Sequence, residues 1–181
     1  MSPGEALPAS PGRAMVRAMA TSQPTPPPAN KPLGPFHVEW LTLIRYQARE
    51  ADEQSREPLP LATLSINGFH DAVEAMLGLV AEHRQIPRPN RSDFDKLFDA
   101  VAGRFPALTH HRTPLIALNT ARVNFKHHGN APDRRAIEQR RGNAMDFLAD
   151  ASRICLDQDF DAISMVTLIR DPRSAGASGS G

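Results

Sequence analysis

The chain has 181 residues and a formal net charge of +1, so it is long enough for one domain with a hydrophobic core. Its near-neutral charge excludes the global basic field that marks a nucleic-acid coat protein. The single cysteine, Cys155, excludes an internal disulfide framework and a multi-cysteine zinc site, which favours a reducing, cytoplasmic location.

The two ends of the chain differ in composition from its middle. Residues 1–35 hold nine of the 17 prolines among Ser, Ala, Thr and Gly, which predicts a disordered leader, either a linker or a proline-rich ligand for a partner domain. Residues 171–181 are rich in Gly and Ser and predict a flexible tail. No apolar run approaches the roughly 18 residues that span a bilayer, so we expect no membrane contact.

Apolar residues recur at helical spacing through residues 36–170, which predicts an all-α antiparallel bundle of five to six helices. The stretch 59–84 has a wide apolar stripe and predicts the central, most buried helix. The fourth helix is expected to begin with Thr113 as its cap and to end at Gly129. The last segment, DFDAISMVTLI at 159–169, is predicted to form a short helix.

The helix that follows Pro132 carries basic residues near its start, Arg134, Arg135, Arg140 and Arg141. Positive charge is unfavourable at a helix N-terminus. We therefore expect this cluster to serve a purpose other than helix stability.

The fourth helix contains polar residues at unusual positions. At about 100° per residue, apolar side chains fall on two flanks, and between the flanks lie Asn119, Arg122 and Lys126. An ordinary surface helix gathers its polar residues opposite the core. This stripe therefore predicts an interior cleft, a carboxylate on another helix, or a subunit interface. The structural alternative is an ion pair of Arg122 with Glu74, Asp71 or Asp99.

Two adjacent histidines, His127 and His128, close the same helix. They form either a cationic last turn that complements the helix dipole or a proton-transfer group beside a phosphate held by Arg and Lys. The second arrangement would suffice for metal-independent RNA cleavage through a cyclic phosphate. A second pair, His110 and His111, has no Cys-containing or carboxylate-rich spacing around it, so we predict no metal site and no cofactor.

Three polar residues, His70, Asp71 and Glu74, lie within about one turn of each other on the second helix. They form either the polar edge of a buried helix or the carboxylate that orients Arg122 or a histidine across the bundle.

The stretch ARVNFKHHGN resembles the motif helix of the HEPN superfamily (higher eukaryotes and prokaryotes nucleotide-binding), whose hallmark is an Arg and a His separated by four to six residues. Arg122 is separated from His127 by four residues and from His128 by five. Two further stretches, SINGFHDAVEAMLGLVAEH and the closing DFDAISMVTLI, are similar to a bacterial group within or near that superfamily. The resemblance covers about residues 36–169.

The resemblance implies a helical bundle that dimerises through its motif helices, and many members are RNases of toxin-antitoxin or other bacterial defence systems. Arg122 would then bind the scissile phosphate, His127 or His128 would transfer a proton, and the supporting residues would be Asn119, Asn124, Lys126 and Glu74. RNA would bind to a local basic patch, and a defence-locus protein is a further expected partner. Val123 departs from the pattern because active members usually carry a polar residue there. The alternative is a non-catalytic helical interaction or nucleotide-binding module.

Overall fold

A computed structural model describes residues 32–88 and 93–164, and in these ranges all the regular structure is helical. This confirms the all-α prediction. None of the described helices combines the length and the hydropathy needed to cross a membrane. The chain order is α1 (Pro35–Ser55), a 3₁₀ turn (Leu61–Leu64), α2 (Ser65–His83), α3 (Phe94–Arg104), a 3₁₀ turn (Pro106–His111), α4 (Arg112–His128), α5 (Arg134–Ala151) and a π-turn (Ser152–Leu156).

Several predicted boundaries differ from the observed ones. The predicted tail and residues 1–31 of the predicted leader lie outside the described residues, and α1 already begins at Pro35, the last residue assigned to the leader. The fourth helix begins at Arg112 rather than after Thr113, because the preceding 3₁₀ turn runs directly into it. Its predicted end is confirmed, since Gly129 adopts the left-handed conformation with φ 68° that favours glycine.

The predicted helix at 159–169 is wrong over residues 159–164, which form a turn at residues 160–162 flanked by irregular chain. The Asp159 side chain accepts a hydrogen bond from the Asp161 backbone N–H at 3.0 Å. This local bond offers the backbone an alternative to a helix. Residues 165–169 lie outside the described ranges.

Helix α2 lies at the centre of the bundle, as its apolar stripe predicted. Twelve of its 19 residues are buried, and it packs against α1, α3, α4 and α5. Its largest fully buried side chains are Ile66, Phe69, Met76, Leu77 and Leu79. Each of the other four helices packs one face against it.

Two of the four basic residues near the start of α5, Arg134 and Arg141, contact the end of α1. Arg134 donates hydrogen bonds to the backbone carbonyls of Ser55 and Glu57, and Arg141 forms an ion pair with Asp52. The last carbonyls of a helix lack intrahelical partners and carry partial negative charge. The cost of placing cations at the N-terminus of α5 is therefore offset by contacts with α1.

Helices α1 and α2 approach each other closely at Gly68. A Cβ atom at this position would lie 2.9 Å from the Cβ of Ala51 and 3.6 Å from its Cα. Ala51 is itself only 2% exposed, so it has no room to retreat. Gly142 in the middle of α5 offers a contrast, because nothing lies within 4 Å of a Cβ added there.

We expect Gly68→Ala to destabilise the protein by about 1–3 kcal/mol, because it overpacks the α1–α2 contact. Gly142→Ala is the matched control and should stabilise by up to about 1 kcal/mol, the usual gain in a helix. Urea denaturation of both variants measures the difference. A stabilised Gly68→Ala variant would contradict the close approach.

Candidate functional site

Arg122 lies at the edge of the bundle, on the side of α4 that meets α2. Its side chain is 25% exposed, and its Nε atom lies 3.8 Å from Oδ1 of Asp71, whose side chain is 48% exposed. Of the three alternative partners, Asp71 is therefore the one observed. Asp99 instead forms a two-point ion pair with Arg112, with N–O distances of 2.7 and 3.0 Å.

Asp71 is shared between Arg122 and a buried histidine. His70 Nδ1 lies 3.3 Å from the same Oδ1 atom and 3.9 Å from Oε2 of Glu74. The ring of His70 packs on Phe94 with the ring centres 5.0 Å apart, and only 2% of the residue is exposed. We call these four polar residues, His70, Asp71, Glu74 and Arg122, the arginine cluster.

Burial lowers the pKa of His70, and the hydrogen bond with Asp71 opposes that shift only in part. A neutral ring with its proton on Nδ1 would donate to Asp71 and leave Nε2 as an acceptor. Nε2 has no hydrogen-bond partner in the described parts of the chain. His70 is too buried to contact a substrate, and its polar contacts are with Asp71 and Glu74.

The other residues of the predicted stripe are not fully buried either. Asn119 is half-buried, whereas Lys126 is exposed. The apolar arc is narrower than predicted, because Val123 on its far flank is 38% exposed. Helix α4 lies at an edge, and its buried face is formed by Leu115, Leu118 and Ala121. Arg122 therefore borders the buried face rather than lying inside it.

The end of α4 presents its remaining candidate residues to solvent. Asn124, His127 and His128 are exposed, and within residues 32–88 and 93–164 neither histidine has a hydrogen-bond or ion-pair partner. Arg122 and His127 are five positions apart, which separates them by about 7.5 Å along the helix and about 140° around it. A single chain therefore directs them to different sides.

The second histidine pair, before the start of α4, has a partner that the sequence did not indicate. His111 Nε2 lies 3.0 Å from Oδ2 of Asp150 on α5. Burial lowers the pKa of His111. Hydrogen bonds from Arg153 and then His111 lower the pKa of the Asp150 carboxyl. Asp150 is 39 positions along the chain from His111, so only the fold brings these groups together.

Comparison with known proteins adds no relative, since no family model, curated protein or solved structure matches the chain. Over the described residues, the fold and site define an all-helical protein with a half-buried arginine-carboxylate cluster between its central helix α2 and its edge helix α4. Membership of the HEPN superfamily stays a prediction from the sequence.

We expect Arg122→Ala to lower the free energy of unfolding by about 1 kcal/mol or less, because a partly exposed pair at 3.8 Å contributes little to stability. Urea denaturation measures this loss, and Arg112→Ala provides a comparison with a second exposed pair. A loss of several kcal/mol would instead indicate a buried ion pair.

The stability of the protein should fall as the pH drops below 6.5, the ordinary pKa of histidine. Because the folded-state pKa of His70 is lowered, the unfolded state binds protons that the folded state does not, so acid favours unfolding. His111 contributes with the same sign. Denaturation between pH 7 and pH 5 should show a smaller loss for His70→Asn than for the wild type. An unchanged slope would contradict the assignment.

Proposed function

We propose that the chain is a HEPN-like, metal-independent endoribonuclease that acts as a homodimer in a bacterial defence or toxin-antitoxin setting. The observation that carries the proposal is the position of Arg122. Its guanidinium lies beside Asp71, a quarter exposed, on the helix whose last turn presents Lys126, His127 and His128 to solvent. One helix therefore carries both candidate residues that would bind a phosphate group and candidate residues that would transfer protons.

The reaction requires only a base, an acid and a cationic group. One histidine removes the proton from the RNA 2′-hydroxyl, and the 2′-oxygen attacks the adjacent phosphorus. The bond to the 5′-oxygen breaks, and a second histidine donates a proton to that leaving oxygen. Arg122 would stabilise the negative charge on the phosphorane. The products are a 2′,3′-cyclic phosphate and a 5′-hydroxyl.

Dimerisation would bring together an arginine and a histidine that a single α4 helix holds apart. Arg122 and His127 face different sides of α4, so a second copy would supply the histidine that faces Arg122. Val123 supports this arrangement because it is 38% exposed between polar residues and would be covered where two α4 helices meet. Isologous contacts of this kind are the commonest in homodimers.

Cleavage of a mixed RNA pool in the presence of EDTA tests the proposal. We expect cyclic phosphate ends from the wild type and at least about a hundredfold slower cleavage by Arg122→Ala and by His127→Ala. Arg49→Ala removes an exposed arginine from α1 and should leave cleavage unchanged. Equal cleavage by the wild type and Arg122→Ala, or no cleavage, would contradict the proposal.

Mixing the two inactive variants tests whether the site is shared. If Arg122 of one copy acts with His127 of the other, half of the dimers are mixed and each of these has one intact site of two. Mixing should then restore about a quarter of the wild-type activity. A site within one chain would give no restoration.

A non-catalytic interaction or nucleotide-binding module is the second candidate. It is favoured by the absence, within the described residues, of any group that holds His127 or His128 in place, and by Val123 next to Arg122. It predicts no cleavage and a double variant, Arg122→Ala with His127→Ala, that still forms its complex.

A further inference from the structure

Two histidines and an aspartate meet where the 3₁₀ turn before α4 packs against α5. One ligand atom from each of His110, His111 and Asp150 lies within 4.8 Å of the others. Asp150 Oδ2 is 3.0 Å from Nε2 of His111 and 3.7 Å from Nε2 of His110. The two imidazole rings are tilted by 39° with their centres 3.9 Å apart, and both Nε2 atoms lie near the same carboxylate oxygen.

Each of the three groups is held in place by a second contact. His110 Nδ1 lies 2.9 Å from the carbonyl oxygen of Ala107, which places the proton on Nδ1 and the lone pair on Nε2. The ring of His111 packs edge-on against Phe147. Arg153 donates a hydrogen bond to Oδ1 of Asp150 at 2.7 Å, which leaves Oδ2 for the histidines. Such outer contacts are typical of metal-binding residues.

The contact between His110 Nε2 and Asp150 Oδ2 is unfavourable unless a further group is bound between them. His111 can donate its Nε2–H to Asp150, but the lone pair of neutral His110 Nε2 faces the same acceptor oxygen. A cation that accepts all three lone pairs would remove this conflict. On a tetrahedral zinc ion the ligand atoms are about 3.3 Å apart, and the observed 3.0 and 3.7 Å lie on either side of that value.

We propose that His110 Nε2, His111 Nε2 and Asp150 Oδ2 bind a divalent transition-metal ion of the Zn²⁺ class. Two imidazole nitrogens and one carboxylate oxygen suit Zn²⁺ and its neighbours, whereas Mg²⁺ and Ca²⁺ prefer all-oxygen sites. His110 is the solvent side of the site, since its side chain is 64% exposed, while His111 is only 6% exposed. Three protein ligands leave a position for water or another ligand.

Metal titration of the untagged full chain tests this site. After treatment with EDTA and desalting, Co²⁺ is added while visible absorption is followed, and Zn²⁺ is then used to displace it. We expect one ion per chain. His110→Ala should weaken the affinity at least about tenfold, and because this side chain is exposed the variant should keep the wild-type helical circular dichroism. Asp150→Asn keeps the shape of the carboxylate and should also weaken binding.

The double variant His127→Ala with His128→Ala is the matched control, because it removes an adjacent histidine pair that has no carboxylate partner among the described residues. It should bind the ion as tightly as the wild type. Equal affinity of the wild type and His110→Ala, no binding by the wild type, or binding lost only in the control would each overturn the proposal. The RNA cleavage assay contains EDTA, so the two proposals fail independently.

Discussion

The burial of α2 is the constraint on which the rest of the structure depends. Because α2 packs against α1, α3, α4 and α5, its polar residues can lie only along the seams between its neighbours. His70 lies against Phe94 at the start of α3, and the Asp71 carboxylate lies beside Arg122 of α4. The location of the arginine cluster is thus a consequence of how the central helix is covered.

The features that could be predicted from the sequence depend on residues that are close to each other along the chain. Apolar spacing predicted the all-α fold and the central place of α2, and Gly129 predicted the end of α4. Pairings between distant positions could not be predicted. Asp52 is 89 positions from Arg141, and only the packing of α1 against α5 explains why two of the four arginines, Arg134 and Arg141, lie near the start of α5.

The position of Arg122 was only partly predictable. Helix periodicity correctly separates it from the most exposed side of α4, and Asp71 was one of three alternative partners. The phase of a helix does not show how many of its sides are covered, however, so Val123 was counted in a buried arc although 38% of it is exposed. For the same reason Lys126 was expected to face an interior cleft, a carboxylate on another helix or a subunit interface, whereas it is exposed in the described chain. An edge helix has a narrower buried face than its apolar residues suggest.

The two histidine pairs beside α4 consist of the same type of residue but differ in whether the fold holds their rings in place. A histidine transfers a proton or binds a metal efficiently only when its ring is oriented. The pair before α4 is oriented by Ala107, Phe147 and Asp150. All the residues of the proposed metal site therefore lie within one chain. The pair that ends α4 has no such contacts in the described structure. Catalysis there would consequently require a second copy of the chain or the bound substrate to orient the histidine ring.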